Sequence, residues 1–266
     1  MDVVSLSVTV TDGMNHYVTD LESGEFSVFE DGVKQDITFF NRRQQPIALS
    51  LLLDSSASME QHLPMLQTAA GNFVKRLKPN DIAQVIDFDS RVEIRQAFTS
   101  NHAELEAAIQ QTSAGGSTSL HNAIYIALRE LRKVKAVTEE DVRRQALIVF
   151  SDGADRYSEA TSGQVLARAR RSQALVYPIT MGKTRVPAAV ELATLTGGRS
   201  FLLRDPKELE RTLTTIAREL RYQYLIGYVP SMALKPGMHE WRAIRVTLTT
   251  PAKGLRVRAR DGYTAE

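Results

Sequence analysis

After Val4, residues 3–11 alternate apolar and polar side chains with a period of two, and Asp12-Gly13 then supplies a turn. The same logic recurs in Phe26-Ser27-Val28-Phe29, closed by Asp31-Gly32, and again in Ile37-Thr38-Phe39-Phe40. These segments read as half-buried β-strands. From Pro46 the alternation stops and Ile47-Ala48-Leu49-Ser50-Leu51-Leu52-Leu53 runs apolar almost without interruption, as expected of a strand covered on both faces. Strands and amphipathic helices then take turns. Leu63, Leu66, Ala70, Phe73 and Leu77 form a helical stripe that ends before Pro79. Ile82–Ile86 and Val92–Ile94 flank a turn, and Asn101 with Glu104 offers a capping box for a helix through Gln111.

Further along, Leu120, Ile124, Leu128 and Leu131 mark another helix and Ala146–Phe150 another buried strand. Helix over 165–172, strand over 174–179, helix over 186–195 and strand over 200–203 follow. A last helix carries Leu209, Leu213, Ile216 and Leu220, with Pro206 at its start. This alternation predicts an α/β, doubly wound Rossmann-like unit over residues 46–221. Residues 222–228, 241–248 and 255–259 return to period two. Neither end holds enough strands for a core of its own, so residues 1–45 and 222–266 are expected to pair as one small β-sandwich.

The candidate chemistry sits where predicted strands end. Asp54-Ser55-Ser56-Ala57-Ser58 follows the first buried strand and Ser151-Asp152-Gly153 follows a second. Between them, Gly115-Gly116-Ser117-Thr118 precedes a helix. Open α/β sheets bind ligands at this carboxyl edge. Asp54, Ser56, Ser58, Thr118 and Asp152 would bring together two carboxylates and three hydroxyls. All five are hard oxygen donors, suited to Mg²⁺, with Mn²⁺ or Ca²⁺ as alternatives. Taken singly, Ser56, Ser58 and Thr118 read equally well as helix caps and Asp152 as part of a turn.

In order and spacing, these five residues resemble the metal-ion-dependent adhesion site (MIDAS) of von Willebrand factor A domains. Val8–Asp12, Phe26–Gly32 and Tyr224–Tyr228 are similar to the flanks of a bacterial family of related proteins abundant in acidobacteria. The resemblance implies a non-enzymatic module that uses its metal to recognise an Asp or Glu carboxylate on a protein partner. It also implies export to the cell envelope or the extracellular space.

Composition narrows the alternatives. With 33 basic and 31 acidic residues the net charge is +2, too little to imply nucleic acid, and no apolar stretch is long enough for membrane insertion. The absence of cysteine excludes disulfides, thiolate metal sites and cysteine nucleophiles. Asp87-Phe88-Asp89 resembles the nucleophile motif of haloacid-dehalogenase-like phosphatases, an enzymatic alternative in which Asp87 attacks phosphorus. A turn between two strands explains the segment as well. A further alternative is a purely structural metal. Gly182-Lys183-Thr184 mimics the end of a P-loop, but Tyr177 stands where the upstream glycine is needed. Arg256, Arg258 and Arg260 are expected on a solvated strand face, His121 on a helix surface, and Asp155 in the loop after Asp152.

Overall fold

A computed structural model describes residues 3–134, 142–153, 155–232, 240–249 and 254–265. Its centre is a six-stranded sheet in the order β10-β9-β8-β5-β6-β7, formed by Phe201–Leu203, Leu175–Met181, Arg144–Ser151, Ile47–Asp54, Ile82–Phe88 and Val92–Thr99 respectively. All neighbours are parallel except β7, which runs antiparallel to β6. Helices α1 (Leu63–Val74), α2 (His102–Gln110) and α6 (Leu209–Arg221) cover one face. Helices α3 (Leu120–Lys133), α4 (Ser162–Arg170) and α5 (Pro187–Thr196) cover the other.

The apolar run of β5 has its reason here. Leu49, Leu51 and Leu53 enter one helix-covered core while Ala48 and Leu52 enter the opposite one, so both sets must be hydrophobic. Ser50 interrupts the run at no cost in unpaired polarity, because Gln84 of β6 donates to its hydroxyl at 2.8 Å. The α1 stripe stops being helical at Val74, although Leu77 remains buried in the turns that follow. Asn101 caps α2 by accepting from Ala103 N at 3.0 Å, and Glu104 meets the Asn101 side-chain amide. That is a looser form of the expected box.

The remaining strands make two four-stranded sheets. One has the order β13-β1-β11-β4, formed by Arg256–Arg258, Val4–Thr11, Tyr224–Tyr228 and Ile37–Asn41. The other has the order β14-β12-β2-β3, formed by Gly262–Ala265, Glu240–Leu248, Phe26–Glu30 and Val33–Gln35. Each sheet joins strands from both ends of the chain, with Leu6 opposite Ile226 and Val28 opposite Val246. Their shared core gathers Leu6, Val8, Val10, Phe26, Val28, Tyr224, Ile226, Tyr228 and Ile244. Asp31 and Gly32, at φ 47° and 83°, make the two-residue turn of the β2–β3 hairpin. The α/β unit with a sandwich built from both termini is thus the observed architecture.

One expectation fails. Arg258 and Arg260 do not line a solvated face. Arg258 forms an ion pair with Glu219 of α6, a residue 1% exposed that also accepts from Tyr177 OH at 2.7 Å. Arg260 is 9% exposed and donates to the carbonyls of Gly262 at 2.7 Å and Arg170 at 3.0 Å. Docking of the sandwich against the α/β unit supplies partners that strand alternation alone does not reveal. Only Arg256 is exposed as expected.

Candidate metal centre

Asp54 is the last residue of β5 and is fully buried. Its Oδ1 accepts from Ser56 N at 3.0 Å, a local turn that bends the chain out of the sheet and into the short helical turn Ala57–Met59. The bend brings Ser56 Oγ to 3.1 Å from Ser58 Oγ. The other carboxylate oxygen, Oδ2, accepts from Ser151 Oγ of β8 at 2.6 Å. In chain order β5 leads through α1 to β6 on one side, whereas β8 pairs on the other. Asp54 and Asp152 therefore flank the switch point of the sheet, where such folds open a crevice.

Thr118 arrives on a loop laced to the other two. Gly115 N donates to Ser55 O at 2.8 Å and Ala57 N to Gly116 O at 3.2 Å. Gly116 has φ 64°, which strains any residue with a Cβ, and a Cβ there would lie 2.8 Å from both Asp89 Oδ2 and Ser90 Oγ, so those side-chain ends would have to move. The Thr118 carbonyl accepts from Arg156 N at 2.9 Å and Tyr157 N at 3.0 Å, which ties it to the loop after Asp152. Among the described residues, no side-chain hydrogen bond joins the Thr118 hydroxyl to the other four candidates. The structure joins Asp54, Ser56 and Ser58 directly, sets Asp152 close enough for its charge to act on Asp54, and connects Thr118 through backbone.

Electrostatics favour a cation here. Burial pushes the Asp54 carboxyl above its ordinary value; hydrogen bonds from Ser151 and Ser56 pull it down, and the charge of Asp152 adds to the rise. Among the described residues, no Lys or Arg forms an ion pair with it. The hydroxyls also lack the capping role that would otherwise explain them. Ser56 precedes its short helical turn without a side-chain cap, and Ser119, not Thr118, stands at the start of α3 and makes no cap either. Ser119 Oγ is buried without a hydrogen-bond partner among the described residues. Among the described residues no cluster of three or more His, Cys, Asp and Glu side chains could hold a metal, so the donor set depends on its hydroxyls. Two carboxylates and three hydroxyls fit a hard divalent ion.

Ser151 was not singled out by the sequence, although its inward register at the end of β8 follows from the alternation that buries Phe150 and Val149 in opposite cores. His121 is only partly exposed, and its Nδ1 lies 3.0 Å from Asp155 Oδ2. Asp155 Oδ1 accepts from His121 N at 3.1 Å and from Ser158 Oγ at 2.7 Å, pinning the loop after Asp152 to the first turn of α3. The residues of the phosphatase alternative are engaged elsewhere. Asp87, 5% exposed, accepts from Ser55 Oγ and from Arg95 Nε and Nη2 at 3.1 and 3.0 Å. Asp89 accepts from Arg91 N at 2.7 Å in the β6–β7 turn.

Residues 49–155, which hold all five candidates, match the family model of the von Willebrand factor type A domain. The α/β unit has the von Willebrand factor type A fold. The protein sll0103 of Synechocystis sp. is 31% identical over 120 residues, covering 44% of this chain. That match spans about a quarter of the relative's own length, 27%. A von Willebrand factor type A structure from Catenulispora acidiphila aligns with 95% of this chain and 71% of its own, at TM-score 0.57 and 12% identity. Proximal thread matrix protein 1 from the mussel byssus, described with a zinc-occupied MIDAS motif, aligns with 66% of this chain and 48% of its own, at TM-score 0.56 and 14% identity. At these identities the structural likeness concerns the fold. Domains of this type commonly serve protein–protein interaction, and among the described residues no helix is long and apolar enough to cross a membrane.

Proposed function

We propose that this chain is a non-enzymatic binding module that holds one divalent cation and uses it to capture an Asp or Glu carboxylate on a protein partner. Asp54, Ser56, Ser58, Thr118 and Asp152 would hold the ion, with Mg²⁺ preferred and Mn²⁺ or Ca²⁺ able to substitute. When bound, such an ion supplies an electrophile that accepts an external acid. The observation that carries the reading is the buried Asp54, which accepts from Ser56 N and Ser151 Oγ, has Asp152 near it, and forms no ion pair with a Lys or Arg among the described residues. Ser56, Asp54 and Thr118 are buried while Ser58 is exposed and Asp152 half-buried. That polarity gives the site a solvent side and favours a partner over a purely structural ion.

The engaged carboxylates of Asp87 and Asp89 support the absence of phosphatase chemistry. The metal named in the description of the mussel protein lends support to metal binding on this fold. An acidobacterial-type parentage and a place in the cell envelope or outside the cell complete the proposal.

Isothermal titration of the metal-free chain with Mg²⁺ tests it. One-site binding is expected in the wild type, weakened about tenfold or more in Thr118→Ala, a loss of about 1.4 kcal/mol. No one-site binding in the wild type, or equal affinity in the variant, overturns the five-residue site.

A further inference from the structure

The carboxyl edge of the central sheet continues beyond the candidate metal centre toward β9 and β10. There an open groove of about 590 Å³ is lined by His62, Met181, Gly182, Lys183, Leu203 and Arg204. Met181 and Leu203 are paired at the ends of their strands, and Gly182 N donates to Leu203 O at 3.1 Å, one step past the ladder. Lys183 and Arg204 follow these two strand ends, and both line the groove. Both are exposed, and neither enters a hydrogen bond or ion pair among the described residues. Neither Asp205, which follows Arg204 and accepts through Oδ1 from Lys207 N at 2.9 Å, nor Glu60, exposed on the turn before α1, forms an ion pair with them among the described residues. In a chain whose net charge is only +2, two unpaired cations on adjacent strand ends are a local feature rather than a general basicity.

The groove adjoins the candidate centre. His62 stands four residues after Ser58, in the continuous turn where His62 N donates to Met59 O at 2.8 Å. From β5, which carries Asp54, the sheet order runs through β8 to β9 and β10. At a strand spacing of about 4.8 Å, the groove lies roughly 10 to 14 Å from Asp54 along the edge. An extended peptide, rising about 3.3 Å per residue, covers that distance in three or four residues.

We infer that the groove receives the acidic continuation of the partner: an extended segment with one carboxylate at the metal centre and a second, three or four residues away, between Lys183 and Arg204. The first contact rests on the function proposed above. The second depends on the groove's own cations.

The test uses two fluorescein-labelled peptides of glycine and serine, read by fluorescence polarisation with Mg²⁺ or with EDTA. One carries two glutamates three residues apart; the other has glutamine in place of the second. With Mg²⁺, the two-acid peptide is expected to bind the wild type about fivefold tighter, the scale of exposed ion pairs. That advantage should vanish in the Lys183→Ser/Arg204→Ser double variant, whose Mg²⁺ affinity stays unchanged. Equal binding of both peptides to the wild type overturns the groove; if both still need Mg²⁺, the metal-dependent function survives. A two-acid advantage that persists in EDTA and is lost in the double variant upholds the groove and overturns the metal-dependent function. No binding of either peptide up to about 10 mM, weaker than the weakest specific contacts, overturns the inference.

Discussion

Asp54→Asn separates the metal from the fold more cleanly than any other change at the site. Asparagine keeps the shape and an acceptor for Ser56 N, which lies 3.0 Å away, and Ser151 Oγ, at 2.6 Å, can rotate to accept from the new amide. Two charge-assisted hydrogen bonds become neutral ones, a loss of about 1 kcal/mol each. Against this, a buried carboxylate disappears beside Asp152, whose charge raises its pKa. The two effects oppose one another, so the metal-free variant is expected within about 1 kcal/mol of the wild type, or roughly 2 to 4 °C in Tm for a domain of this size. Mg²⁺ separates them. At a hundredfold excess over Kd, a ligand of the folded state alone stabilises by about 2.7 kcal/mol, or roughly 5 to 10 °C. Thermal unfolding of chelator-treated protein, with and without Mg²⁺, should show that rise in the wild type and none in Asp54→Asn. A variant that keeps half or more of the wild-type rise refutes the assignment of Asp54, and a wild type indifferent to Mg²⁺ refutes the site.

Gly153, at φ 86°, follows Asp152, and a Cβ there would lie 2.5 Å from Val186 Cγ2. Gly153→Ala should therefore cost about 2 kcal/mol in urea unfolding and, by shifting the Asp152 loop, weaken Mg²⁺ binding in the same titration. Glu219→Ala leaves Arg258 and the Tyr177 hydroxyl without their acceptor. The expected loss is about 3 kcal/mol, the low end for a broken buried pair because the Arg258 side chain is 32% exposed, with Mg²⁺ affinity unchanged. Burial raises the folded Asp54 pKa above 3.8, so its favourable protonation is complete below that pH and is lost as pH rises through the folded value. Since Mg²⁺ opposes that loss, its effect on Tm should be larger at about pH 7.5 than at about pH 5; equal shifts would remove Asp54 from the linkage.

Particular residues show where sequence suffices. The run from Ile47 to Leu53 reads as a strand buried on both sides, and in the structure its consecutive apolar residues do enter opposite cores. The Asp31-Gly32 turn likewise dictates its hairpin, since both residues need positive φ. What could not be read depends on docking. Arg258 lies in a three-residue strand whose alternation speaks for solvent, yet Glu219, on a helix of the other unit, draws it inward. Thr118 illustrates the converse. Its place before a helix suggested a cap, and only the fold reveals that Ser119 holds that position without capping.

The same contacts explain why the carboxyl edge is left open. The chain enters the α/β unit at the start of β5 and leaves it at the end of α6, both at the amino edge of the parallel strands. The polar ties between the units gather there. Arg144, which begins β8, donates to the carbonyls of Leu220 and Gln223, and Gln223 in turn donates to Thr9 of β1 at 3.0 Å. At the C-terminus of α4, the Arg170 carbonyl accepts from Arg260, and its guanidinium lies 5.2 Å from the Trp241 ring centre. Gly197 ends α5 at φ 79°, where a Cβ would lie 2.7 Å from Arg260 N. Among the described residues, the polar ties of the sandwich reach the base of the sheet and not the three loops that carry Asp54, Thr118 and Asp152. Those loops are braced by one another and by the β6–β7 turn, so they can meet a partner without disturbing the anchorage.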